Sequence, residues 1–285
     1  MSTKPVYQKI MKQNGLEQFK SLIRKWEALS ENMAAKPSGL PIILPDLFLI
    51  AHSGTGRTHC VKLLADYLSE NGTLMDFYGD VKYFEFMLNY CHPAEHFSEL
   101  PRLMTEIDNA AGFRNEYRGI IFIDIDEWRG HTEEKHFVSF LEYLSDNSDG
   151  WLVVLSVSDR NTEQVEQMEA VLSAFLRIER VVIEKPLPQE LTDYAAHMLL
   201  QYGISLKKDA EALLLQAIEV LCKNKYFDGY KTIRMLCQDI AYAAYIAGKQ
   251  KERRLDAEDL SQFAAGSEYI NRMIVKIEKT ARIGF

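Results

Sequence analysis

Two glycines around a threonine, followed by a cation and a second hydroxyl, form the clearest chemical signal in the chain: His52-Ser53-Gly54-Thr55-Gly56-Arg57-Thr58-His59. Glycine admits backbone conformations closed to other residues, and successive N–H groups running into a helix N-terminus cradle an anion. A short apolar run, Leu47 to Ile50, comes before this stretch, and Val61, Leu64, Ala65 and Leu68 follow it at helical spacing. The order is strand, phosphate-sized loop, helix. Against the phosphate-binding pattern G-x-x-x-x-G-K-[ST], Gly56 and Thr58 match, while Ala51 stands for the first glycine and Arg57 for the lysine. Thr58 keeps the hydroxyl that would sit on Mg2+. Arg57 keeps the charge but offers a planar fork in place of a compact ammonium. The loop by itself reads either as a nucleotide cradle or as a bare strand–turn–helix connection.

A second feature bears on that choice. Gly119 to Asp124 is a continuous apolar run closed by a carboxylate, the pattern of a central strand buried on both faces of a parallel sheet. An acid in that place is ordinarily a solvated loop residue, but a Mg2+–nucleotide site needs one opposite the loop hydroxyl. Asp126-Glu127 is an acidic pair two residues on; it keeps strand parity and leaves a second register open. Trp151 to Ser156 reads as another buried strand, ending at the polar pair Ser158 and Asp159. His92 and His96 flank Glu95, but Pro93 disfavours the helix a metal pair would need, and His131, Glu133, Glu134 and His136 read as a solvated loop and helix start.

These groups need elements to hold them. Residues 1–14 read as a loose arm or short helix, and Leu16, Phe19, Leu22, Ile23 and Trp26 give the next helix its apolar stripe. A breaker-rich loop, Lys36 to Pro41, precedes the strand of the glycine loop. Leu74 to Tyr78 is the expected second strand, and the aromatic stretch 80–97 has no clear assignment. Helices are expected over Ser98 to Ala111 (with Ser98 as N-cap and Gly112 as stop), Glu133 to Leu144 and Glu163 to Leu176, and a fifth strand over Val181 to Ile183. Beyond Pro186–Pro188 only helices are expected, near 189–202, 209–222, 230–247, 256–264 and 267–281. Alternating strands and helices followed by helices alone predict an α/β domain with a five-stranded parallel sheet, then a small helical domain. Ligands of such sheets bind at the carboxyl ends of the strands.

The bulk numbers agree. The chain has 285 residues, 47% apolar and 26% charged, as expected of an ordinary soluble globular protein of one or two domains. A net charge of −8 argues against a nucleic-acid partner. No N-terminal apolar segment or membrane-length run is seen, and the four cysteines show no C-x-x-C spacing, so a cytoplasmic protein with reduced thiols is expected.

In order and spacing these motifs resemble those of AAA+ ATPases, over roughly residues 15 to 264. GLEQFK resembles the entry to the first strand, HSGTGRT the Walker A loop and IIFID the Walker B strand. SDNSDGWLVVLSVSD resembles the sensor-1 region, and Leu176 to Val181 the LRxRF arginine-finger stretch, of the CbxX/CfxQ (red-type rubisco activase) branch. Asp228 to Arg234 resembles the sensor-2 helix start, and LDAEDL the entry to the last lid helix.

The resemblance implies a sheet of order 5-1-4-3-2 flanked by helices. It also implies an N-terminal arm (1–14), a nucleotide-binding domain (15–186), a lid (187–266) and a C-terminal helix (267–285). It places ATP or ADP with Mg2+ against residues His52 to His59, Ser158 and Lys231, the metal on Thr58 and Asp124, and catalytic roles on Asp124, Glu127, Arg177 and Arg180. The resemblance implies further AAA+ subunits as partners, its own or another's, with a hexameric ring as the candidate assembly. The catalytic centre departs from the family pattern. Ile125 replaces the water-orienting glutamate, leaving Glu127 to help only from a displaced position. Ser158 or Asp159 stands at sensor 1, and Lys231 replaces the sensor-2 arginine. Arg177 and Arg180, three apart, are expected to share a direction, and each is equally readable as a helix-end charge. Tyr83-Phe84 is a candidate pore loop, with a core reading the stronger. The expectation is a nucleotide-binding AAA+ module with weak or absent hydrolysis; an active protein remodeller is the alternative, and a DNA-associated module is disfavoured by charge.

Overall fold

The computed structural model describes residues 4–13, 15–34, 44–52, 54–72, 81–90, 99–111, 118–148, 150–248 and 254–283. They form two compact units: Met1–His52 with Arg57–Ile183, and Ser53–Gly56 with Glu184–Phe285.

The first unit runs α1 (Pro5–Met11), α2 (Glu17–Ala34), β1 (Asp46–Ala51), α3 (Arg57–Glu70), β2 (Lys82–Met87), α4 (Glu99–Ala111), β3 (Gly119–Asp124), α5 (Lys135–Asn147), β4 (Trp151–Val157), α6 (Thr162–Phe175) and β5 (Ile178–Ile183). All pairings are parallel, in the order β2-β3-β4-β1-β5, the arrangement the sequence implied. Side chains alternate across each strand. Leu47, Leu49, Ile120, Phe122, Leu152 and Val154 join α1, α2 and α3 in one core; Phe48, Ile50, Ile121, Ile123, Val153 and Leu155 join α4, α5 and α6 in another. Burial on both faces explains why β1, β3 and β4 are continuous apolar runs.

The second strand departs from expectation, while the stronger, core reading of Tyr83-Phe84 holds. The second strand is Lys82–Met87, inside the stretch that had no assignment, and pairs with β3 from Lys82↔Gly119 to Met87↔Asp124. The expected strand at 74–78 lies outside the described residues, as do Ser98 and Gly112. Tyr83 and Phe84 are therefore not a loop: on a strand they face opposite sides, Tyr83 packing with the α3 core and Phe84 against Trp151 at 5.8 Å.

The second unit contains α7 (Pro188–Gln201), β6 (Ser205–Leu206), α8 (Lys208–Cys222), α9 (Gly229–Ile246), β7 (Arg254–Leu255), a 3-10 turn (Ser261–Phe263) and α10 (Glu268–Ile283) around Leu191, Leu214, Ile218, Ile233, Leu236 and Ile240. It is not purely helical: β6 and β7 pair in parallel, and the helix expected at 256–264 is a set of tight turns. Two-residue strands carry no periodicity to read. In this unit the Gly54 carbonyl accepts the Tyr230 N–H at 3.1 Å, and a Cβ on Gly54 would stand 2.1 Å from the Asp228 carbonyl oxygen. Among the described residues no helix is long and apolar enough to cross a membrane.

Candidate functional site

The chain leaves β1 through His52 and enters α3 at Arg57, so the glycine loop follows the carboxyl end of a strand and opens a helix. Gly54 at φ +74° and Gly56 at φ +90° sit in the left-handed region, where a side chain would be strained. Thr55 between them is buried. Ser53 lies outside the described residues.

Arg57 and Asp124 meet at this end of the sheet. Arg57 Nη2 lies 3.2 Å from Asp124 Oδ2, and Nη1 donates to Ser156 Oγ at 3.0 Å. Asp124 and Ser156 are register partners on β3 and β4, so one guanidinium bridges neighbouring strand ends, which an ammonium does less well. Asp124 Oδ1 also accepts the Asp126 N–H at 3.0 Å. Burial pushes the Asp124 carboxyl above its ordinary range, and the Arg57 charge opposes that push.

The strand stops at Asp124, and Asp126-Glu127-Trp128 form a 3-10 turn, so the parity argument for a second acidic register does not apply. Asp126 Oδ1 accepts the Ser158 N–H at 2.6 Å, and Arg129 binds Asp126 in turn. Glu127 is exposed and accepts the Tyr90 N–H at 2.9 Å. Ile125 is fully buried in the α4–α5–α6 core with Trp128 and Phe137.

The other expected residues are spread more widely. Ser158 is buried at 3% exposure, and its Oγ has no partner among the described residues. His52 Nδ1 pairs with Asp159 Oδ1 at 2.8 Å, and His59 lies on the exposed face of α3. In the second unit Lys231 Nζ sits 3.4 Å from Asp228 Oδ2. Arg180 pairs with Glu169 of α6 at 2.9 Å. Arg177 precedes β5, and its carbonyl accepts the Asp46 N–H.

Two residues were missed by sequence reasoning. Ser156 was visible only as the polar end of an apolar strand. Glu85 of β2 accepts a hydrogen bond from Thr58 Oγ1 at 3.0 Å and one from Tyr83 OH at 3.2 Å. The His131 region is also less solvated than expected: Tyr90 stacks on His131 with centroids 3.9 Å apart, and both bond to Glu134. No group of three metal-binding side chains is found among the described residues.

The donor set suits nucleotide with Mg2+. Thr58 and Asp124 are hard oxygen donors of the kind Mg2+ takes, and the buried Ser158 hydroxyl lacks a partner among the described residues.

No family model matches the sequence, and no curated protein matches it. Solved structures do. One variant of RuvB from Thermotoga maritima is 15% identical, covering 87% of this chain and 70% of RuvB with a TM-score of 0.51. Another is 14% identical, covering 87% and 68% with a TM-score of 0.51. RuvB is described as a Holliday junction branch migration motor. The likeness is one of fold: with five parallel strands in the order β2-β3-β4-β1-β5 between flanking helices, this chain has the AAA+ fold.

Proposed function

We propose that this chain is an AAA+ module that binds ATP or ADP with Mg2+, assembles with itself or with a partner AAA+ subunit in a ring, and hydrolyses nucleotide slowly or not at all. Residues 15–186 are the nucleotide-binding domain, 187–266 the lid and 267–285 a C-terminal helix, with motif order nearest the CbxX/CfxQ branch. The observation that carries the reading is the seat of Arg57. A cation that relatives aim at phosphate is engaged by Asp124 and Ser156, while the position that should orient the attacking water holds a fully buried isoleucine.

The N–H groups of Gly54, Thr55 and Gly56 hold phosphate oxygens, Thr58 and Asp124 offer oxygen to the cation, and the Ser158 hydroxyl faces the terminal phosphate. Bound Mg2+ would neutralise charge on the phosphates. Lys231 serves as sensor 2. Arg177 and Arg180 reach a neighbouring subunit's site, Arg180 after releasing Glu169. Glu127 keeps its carboxylate on the Tyr90 N–H, so Asp124 has no adjacent base to help it. The absent positioned group lowers the rate by ~10²–10⁴.

The test pairs a fluorescent ATP titration with steady-state phosphate release. Saturable binding is expected with turnover at least ~100-fold below an AAA+ enzyme that carries the Walker B glutamate. Turnover comparable to that enzyme, abolished by Asp124→Asn, would establish the active remodeller instead.

A further inference from the structure

The geometry points to Glu85 as the residue that positions the Thr58 hydroxyl for a divalent cation, a reading that rests on the nucleotide site proposed above. An alcohol that ligates a cation gives a lone pair to the metal and keeps its O–H to donate a hydrogen bond to an acceptor. Its orientation is fixed by whichever acceptor is in reach. The strand-end acid Asp124 is the obvious acceptor, but both its oxygens are engaged, Oδ1 by the Asp126 N–H at 3.0 Å and Oδ2 by Arg57 at 3.2 Å.

Thr58 instead donates to Glu85 Oε1 at 3.0 Å. Glu85 comes from β2, two register pairs short of the level of Asp124, since Glu85 pairs with Phe122 and Met87 with Asp124. Strand parity puts Glu85 on the face of Tyr83, which packs with the α3 core, and so beside the first turn of α3 where Thr58 sits. Tyr83 OH holds the second carboxylate oxygen at 3.2 Å, which fixes the acceptor. Glu85 thus takes the Thr58 hydrogen bond, leaves the hydroxyl lone pairs directed at the cation, and adds a negative charge beside it.

The test measures ATP affinity in excess EDTA and then along a Mg2+ titration, for the wild type, Glu85→Gln and Glu85→Ala. The three proteins are expected to share one affinity in EDTA, which also reports that each is folded. Glu85→Ala should need about 10–100-fold more Mg2+ for half of the Mg2+-dependent tightening, the usual effect of losing an outer-sphere partner. Glu85→Gln, whose amide oxygen still accepts the hydrogen bond without the charge, should fall between. If the wild type tightens with Mg2+ and Glu85→Ala titrates at the same concentration, the role of Glu85 is overturned while the nucleotide site stands. A wild type that binds ATP without responding to Mg2+ overturns it as well. A wild type that binds no ATP under either condition overturns both.

Discussion

Replacing Asp46 with asparagine should stabilise the first unit at neutral pH and leave it unchanged in acid. Asp46 opens β1; its Oδ1 accepts the Val153 N–H at 2.8 Å, and its own N–H donates to the Arg177 carbonyl at 2.9 Å. Burial is the larger influence on its carboxyl, pushing it up to about 6 from an ordinary 3.8 against the Val153 N–H, which favours the ionised form. The folded chain therefore holds this proton more tightly than the unfolded one. Well below pH 3.8 both states are protonated and the group is neutral to stability. As pH rises from 3.8 to the folded value near 6 the unfolded chain gives up the proton that the folded chain keeps, and stability falls until both are ionised. Two pKa units correspond to ~3 kcal/mol, the ceiling on what Asp46 costs at pH 7.5. The amide of the Asp46→Asn variant would keep an oxygen for the Val153 N–H and remove the charge. All three tryptophans, Trp26, Trp128 and Trp151, belong to the first unit, so their fluorescence follows it selectively. Melts from well below pH 3.8 up to pH 8 should give coincident curves at the acid end and an advantage for Asp46→Asn of up to ~3 kcal/mol, or roughly 6–12 °C, at pH 7.5. An offset between the two proteins that is independent of pH, or a less stable variant at pH 7.5, would refute the reasoning.

Other outcomes follow from single contacts. Gly119→Ala sets a Cβ 2.0 Å from the Lys82 carbonyl oxygen in the β2–β3 pairing, and the urea midpoint read by tryptophan fluorescence should fall by an equivalent of ~1–3 kcal/mol. An unchanged midpoint would show that the strands separate freely there. Burial pushes the Cys60 and Cys237 thiols up to about 12. Among chains carrying one of Cys60, Cys222 or Cys237, the half-buried Cys222 should react first with a disulfide reagent at pH 8, and the other two only on unfolding. Equal rates for all three would contradict the burial.

The parts of the fold that were legible in the sequence are those buried on both sides. Strands β1, β3 and β4 announce themselves because each must satisfy two cores at once, and polar residues stand only at or next to their ends. β2 has a neighbour on one side only within the described sheet, and its less buried positions admit Lys82 and Glu85 among the aromatics, so its pattern matched neither template. Glu85 was missed for the same reason: a glutamate on an outer strand reads as solvated, and only the pairing of Met87 with Asp124 brings it to Thr58. The glycine loop and Asp124 were legible from type and spacing. The destination of Arg57 was not, since Ser156 gains meaning only as the register partner of Asp124. β5 begins at Ile178, three residues before the strand expected at Val181, because so short an alternation beside a helix end carries little pattern.

The inward seat of Ile125 has an evolutionary side. A glutamate introduced there would have to abandon a place shared with Trp128 and Phe137, or bury its charge among them, so that single change would weaken the fold. A lineage could place a carboxylate at this point only by rebuilding the turn after β3 together with the aromatic packing beneath it.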